Sequence, residues 1–143
     1  MKIRTPILAA VCILLNLPFF AATEQSDDKD AIIISKIEDS ASIEDRLFGF
    51  SMAHGRQSAQ INEKLVSLLD STVLGGKSGC NLLLPSWHEA LIILTERFPE
   101  CSISKSPILY TKEDCELFKK WWRTQSQNNK EQQSRTIKGA AKS

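Results

Sequence analysis

The chain lacks the features on which several protein classes depend. Its 143 residues include only 6 Gly, 5 Pro and 7% aromatic side chains, which disfavours collagen-like and low-complexity chains. It also lacks an excess of one charge, because 18 basic and 17 acidic side chains give a net charge of +1. Nucleic-acid binding is therefore not expected. With 42% hydrophobic residues, this length is enough for one globular domain.

Residues that ligate metals or activate substrates are also scarce. The chain has two histidines and four cysteines, and their spacing matches no metal-binding pattern. Neighbouring carboxylates such as Asp27 and Asp28 fall in polar sequence, whereas a catalytic acid needs an apolar pocket. The sequence therefore predicts no metal, no cofactor and no catalytic residue.

The amino terminus has the pattern of a secretory signal peptide. Lys2 and Arg4 precede an apolar stretch, and small residues follow it at positions 21–23. Asn16 and Pro18 interrupt the apolar run, which is too short for a membrane-spanning helix. We therefore expect residues 1–23 to be removed and the protein to be secreted or periplasmic.

Helical patterns dominate the remaining chain. From Ser42, apolar residues recur at spacings of three and four, with a break or kink near Gly55 and an end at Gly75 and Gly76. Ser86 and Thr111 each precede an acidic residue three positions on, which predicts capped helix starts. The run 31–37 fits either a helix or an edge strand.

These patterns together predict an all-α fold, a small bundle of three to four helices with one disulfide. The predicted organisation is a signal peptide at 1–23, a polar and acidic segment at 24–41, a helical domain at 42–123 and a basic, disordered tail at 124–143. Strand signals are nearly absent from this chain.

Three cysteines remain after removal of the signal peptide, in a compartment that favours disulfides. Cys101 ends one predicted helix and Cys115 lies in the first turn of the next, so an antiparallel connection would bring them together. We predict a disulfide between them. Cys80 is then a buried or free thiol, or the link in a covalent homodimer.

The segment Phe118 to Arg123 is the most distinctive patch in the sequence. Adjacent tryptophans lie about 100° apart on a helix, so one can enter the core while the other stays near the surface. Trp and Arg are enriched at interface hot spots, and basic aromatic helices also bind membrane surfaces. The alternative is that both rings cover the core. The candidate partner-binding residues are Phe118, Lys119, Lys120, Trp121, Trp122 and Arg123.

The sequence therefore predicts an exported helical protein that binds another macromolecule, most simply a protein. An inhibitor or immunity-type protein and an accessory subunit of an envelope or secretion apparatus fit equally well. The competing hypotheses are a small hydrolytic or thiol enzyme using Cys80, His88 and Glu89, and a membrane-active polypeptide working through Trp121 and Trp122.

Overall fold

The computed structural model describes residues 17–77, 82–103 and 105–140. It contains five α-helices, namely α1 (Leu17–Lys36), α2 (Ile43–His54), α3 (Ala59–Ser67), α4 (Ser86–Arg97) and α5 (Lys112–Ala140). Two strands, β1 (Leu74–Lys77) and β2 (Leu83–Pro85), lie between α3 and α4. Short 3₁₀ turns cover Leu68–Asp70, Pro99–Cys101 and Pro107–Leu109.

The two strands correct the all-α prediction, which is wrong. β1 and β2 form an antiparallel sheet in which Gly76 is opposite Leu84 and Lys77 is opposite Leu83. Gly75 and Gly76, predicted to end a helix, lie inside β1 instead. A side chain at Gly75 would place its Cβ within 2.4 Å of the Ser86 hydroxyl, so glycine lets β1 pack directly against α4.

The predicted disulfide is also wrong, because Cys101 and Cys115 are both free thiols. Cys115 is fully buried and faces the core from the first turn of α5. Cys101 lies in the 3₁₀ turn after α4, which packs mainly against α4. The spacing of the two cysteines in the sequence does not show in which direction each thiol points. Cys80, predicted as the spare thiol or dimer link, lies outside the described residues.

The core is formed by one face of every helix. Its apolar residues are fully or almost fully buried, in agreement with the predicted faces of α2 to α5. The largest buried apolar side chains are Ile33 of α1, Ile37 directly after α1, Phe50 of α2, Ile61 and Leu65 of α3, Leu69 of the 3₁₀ turn after α3, Leu91, Ile93 and Leu94 of α4, and Phe118 of α5.

Capping serines, Ser42 and Ser58, mark the starts of α2 and α3. The Ser42 hydroxyl accepts a hydrogen bond from the Asp45 amide at 3.1 Å, which confirms the predicted start of α2. The predicted break near Gly55 separates α2 from α3. Ser86 differs from its prediction: it is the first residue of α4, and its buried hydroxyl makes no capping hydrogen bond.

The acidic segment that precedes α2 is part of the fold. Residues 31–36 of the run 31–37 are helical and belong to α1, and Ile37 follows in a turn. Asp30 of the same helix is buried and pairs with Arg56. Burial alone would raise the pKa of Asp30, but hydrogen bonds from Ser58 and Arg56 outweigh it and lower that pKa.

Two of the sequence predictions concern the ends of the chain. Residues 1–16 of the predicted signal peptide lie outside the described residues, so its cleavage stays a prediction. At the other end, α5 extends to Ala140, although the sequence predicts a disordered tail from position 124. Between 124 and 137 every side chain except that of Ser126 is exposed.

Candidate functional site

The predicted partner-binding residues occupy different sides of α5. Phe118 is fully buried, whereas Lys120 and Arg123 are exposed. Lys119 is tied to the protein surface through ion pairs with Asp70 at 2.8 Å and Glu116 at 2.5 Å. Hydrogen bonds to these two carboxylates raise the pKa of Lys119. These basic side chains therefore do not form one continuous surface with the tryptophans.

Trp121 and Trp122 are both half-buried and pack against the core. They follow Phe118 by three and four positions, which places all three rings on neighbouring parts of one helix face. Phe118 lies beneath them, with ring centroids 5.4 Å from Trp121 and 6.3 Å from Trp122. The arrangement agrees with the prediction that both rings cover the core, yet it leaves part of each ring open.

The open parts of these rings line a groove. Phe98, at the end of α4, lies 5.7 Å from Trp121 and 5.3 Å from Trp122, measured between ring centroids. The planes of these pairs are inclined at 48° and 67°, so the rings form walls of different orientation. The cavity between α3, α4 and α5 measures about 300 Å³. We call it the aromatic groove.

Two carboxylates lie beside the rings of the aromatic groove. Glu63 comes from α3 and Glu100 from the 3₁₀ turn that follows α4. Both are exposed, and among the described residues neither forms an ion pair. The polar side chains of the next turns of α5 complete the lining, namely Gln125, Ser126 and Asn129.

A second depression, the His54 cleft, lies between α2, β1 and α4. It measures about 280 Å³, and its lining includes Phe50, Ser51, Gly75 and Lys77. His54 Nε2 is 2.9 Å from Glu89 Oε1, and His54 Nδ1 is 3.5 Å from Glu96 Oε2. His54 thus links the end of α2 to the first and last turns of α4.

The His54 cleft does not have the geometry of a nucleophilic site. A serine nucleophile needs an imidazole nitrogen that is free to accept its proton. Both nitrogens of His54 face carboxylates, and the hydrogen bond from its ring goes to Glu89 rather than to Ser51. The contacts of His54 therefore favour a role in joining α2 and α4.

The residues of the predicted thiol enzyme are not brought together either. His88 is buried against Trp87 and Tyr110, and its Nδ1 has no hydrogen-bond partner. Glu89 pairs with His54 instead, and Cys80 lies outside the described residues. Of the described thiols, burial raises the pKa of Cys115 to about 11. A thiol with that pKa stays protonated near neutral pH and is a poor nucleophile.

Searches for other kinds of site gave no candidate within the described ranges. Their His, Cys, Asp and Glu side chains form no group of three that could hold a metal ion. Their helices include none with the length and apolar character needed to cross a bilayer.

The sequence predicted some of the residues that line the aromatic groove and missed others. Trp121 and Trp122 were among the candidate partner-binding residues, whereas Phe98 was not. Glu63 and Glu100 were missed, because they come from distant parts of the chain and belong to no local motif. A sequence pattern that predicted how α3 and α5 pack would have been needed to find them.

Comparisons with family models, with curated proteins and with solved structures find no match to this chain.

Proposed function

We propose that the protein acts by binding a protein partner through the aromatic groove. The observation that carries the proposal is the half-open cluster of Phe98, Trp121 and Trp122 around a cavity of about 300 Å³. Tryptophan is the residue type most typical of interface hot spots, where anchors fill desolvated pockets. A groove of this size accommodates one or two side chains from a partner.

The second half of α5 supports the same proposal. A helix that is polar on all sides gains little from packing, and isolated helices of this length are marginal in water. From position 124 to 137 the side chains of α5 are exposed with the exception of Ser126, which lines the aromatic groove. A partner that enters the groove would also cover this extension and stabilise it.

This proposal is compatible with both roles that the sequence predicts for an exported protein. An inhibitor or immunity-type protein needs a compact interface with a few strong anchors, which the aromatic groove provides. An accessory subunit needs an extended surface, which α5 provides. Identification of the partner distinguishes the two roles.

The test is affinity capture with a variant that fills the groove. The chain is tagged after Ser143, and Ser126→Phe is compared with Gln127→Phe, since Gln127 is exposed on α5 and does not line the groove. We expect a stoichiometric partner to be captured with the unmodified chain and with Gln127→Phe, but not with Ser126→Phe.

Each captured protein is then purified and its affinity for the three chains is measured directly. Equal capture by both variants would place the interface elsewhere. Recovery of the chain alone under all conditions would count against a binding function. Circular dichroism of each variant shows whether its fold is retained.

A further inference from the structure

We infer that the aromatic groove binds an arginine side chain of the partner. The inference rests on the proposed function and specifies the chemistry of what enters the groove. Its basis is the combination of three aromatic rings, from Phe98, Trp121 and Trp122, with two carboxylates, from Glu63 and Glu100, that form no ion pair among the described residues.

The rings supply the first part of the argument. The face of an aromatic ring carries negative charge density and attracts a cation, most strongly in the case of tryptophan. Elsewhere in this chain two rings already have such a partner: the Lys36 ammonium lies 5.6 Å from the ring centre of Phe48, and that of Lys112 lies 5.1 Å from Trp87. Among the described residues, no cation lies over Phe98, Trp121 or Trp122.

The carboxylates supply the second part. Other carboxylates of this protein are paired with a cation from a different element, as Asp30 is with Arg56 and Asp70 with Lys119. Glu63 and Glu100 line a cavity and have no such partner within the described residues. Two negative charges beside aromatic walls would disfavour an anionic or a purely apolar ligand.

Arginine fits these two features better than other cations do. Its guanidinium group is planar, stacks on aromatic faces, and directs several N–H donors towards carboxylates in the same plane. A quaternary ammonium headgroup has no donor for Glu63 or Glu100, and a lysine ammonium does not stack. The basic residues nearest in sequence, Lys120 and Arg123, do not line the groove, so its charge is left for a partner.

The test compares an arginine peptide with its neutral analogue. The probes are a short peptide with one arginine flanked by glycines and the same peptide with citrulline, whose urea group has nearly the same shape without the charge. The readout is the indole N–H signals in nuclear magnetic resonance spectra of the full chain. Trp87 serves as the internal reference, because its ring is already covered by Lys112.

We expect the arginine peptide to shift the signals of Trp121 and Trp122 but not that of Trp87. Its affinity should exceed that of the citrulline peptide by about fivefold or more, as a cation on aromatic rings implies. The preference should disappear in the Glu63→Gln, Glu100→Gln double variant, which keeps the shape and the hydrogen-bonding groups of the rim.

Equal affinity for the two peptides, or no shift with either, would overturn the inference. A larger response to phosphocholine vesicles than to the arginine peptide would also overturn it and would identify a lipid surface as the ligand.

Failure of the inference can be separated from failure of the proposed function. If Ser126→Phe abolishes partner capture while the Glu63→Gln, Glu100→Gln variant captures normally, the groove binds a partner by other chemistry. If both variants capture normally, the groove is not the interface and both proposals fail.

Discussion

Two depressions of the described surface, the His54 cleft and the aromatic groove, differ in how their carboxylates are paired. In the His54 cleft, Glu89 is hydrogen-bonded to the imidazole of His54, so this carboxylate has a partner within the fold. In the aromatic groove, Glu63 and Glu100 lack an ion-pair partner among the described residues. This difference in pairing indicates that His54 in the cleft joins α2 to α4, whereas the aromatic groove is a surface available for a ligand.

The largest expected effect on stability comes from a change to Phe118, which lies beneath the aromatic groove. Phe118 is fully buried beneath Trp121 and Trp122, so Phe118→Ala leaves a cavity under both rings. We expect the free energy of unfolding to fall by about 3–5 kcal/mol, as measured by urea denaturation. The matched control is Leu117→Ala, since Leu117 is 58% exposed on the same helix. The control should change stability by less than about 0.5 kcal/mol. Equal effects of the two variants would contradict the burial of the groove's base.

The next largest effect concerns the wall of the His54 cleft. In Gly75→Ala the added Cβ would lie 2.4 Å from the Ser86 hydroxyl and 3.1 Å from the ring of Phe50. Relief of these contacts requires the buried Ser86 hydroxyl to change rotamer and Phe50 to shift, or β1 to move, and we expect a loss of about 1–3 kcal/mol in unfolding free energy.

Gly55→Ala is the matched control for Gly75→Ala. A Cβ there would meet only the Met52 carbonyl oxygen, at 3.7 Å, and the backbone conformation at Gly55 suits any residue. We expect stability to be retained or to rise by up to about 1 kcal/mol. A cleft that tolerated Gly75→Ala as well as Gly55→Ala would not be packed as described.

These two pairs of variants also separate what the sequence predicted from what it did not. Helical periodicity is a local property and predicted the buried faces of α2 and α3, whereas Phe118, a candidate partner-binding residue, is fully buried. The strand containing Gly75 was not predicted, because paired glycines also end helices and the pairing of β1 with β2 depends on residues distant in sequence. The disulfide failed for a similar reason, since the directions of Cys101 and Cys115 depend on helix packing.

The residues of the aromatic groove likewise include some that the sequence predicted and some that it did not. Trp121 and Trp122 were recognised from their type and their basic neighbours, and the hypotheses were a protein partner or a membrane surface. Tertiary structure places them beside Glu63 and Glu100, which lie elsewhere in the sequence. The sign of the charge around a surface aromatic residue depends on all the elements that meet there, which sequence neighbours do not reveal.

A moderate, pH-dependent effect is expected at the start of the helix that carries the tryptophans. Asp114 is buried, accepts a hydrogen bond from the Thr111 amide at 2.9 Å, and pairs with Lys105 at 2.8 Å. Burial alone would raise the pKa of Asp114, but the bonds from Lys105 and Thr111 outweigh it and hold the pKa below its ordinary value of 3.8. A lowered pKa in the folded state means that the ionised group stabilises the fold above about pH 4. This stabilisation is lost as the pH falls through the folded-state pKa.

Asp114→Asn removes the charge and keeps an acceptor for Thr111. We expect it to lower the unfolding free energy by about 1 kcal/mol near neutral pH, with a difference from the unmodified chain that narrows between pH 5 and pH 2. Asp28→Asn, at an exposed carboxylate of α1, should show no such pH dependence. A difference of constant size across that range would mean that the charge of Asp114 does not stabilise the helix start.

The smallest expected changes in stability concern the carboxylates of the His54 cleft and of the aromatic groove. Glu89→Gln should cost about 0.5–1 kcal/mol, because it weakens the contact with His54. In a His54→Ala background the same change should cost almost nothing, since the partner is already absent. The Glu63→Gln, Glu100→Gln double variant should alter stability by less than about 0.5 kcal/mol, because no contact within the described fold depends on these charges. If that double variant instead destabilised the chain more than Glu89→Gln, the charges of the groove would already be engaged within the protein. They would then not be available to recognise a cationic partner.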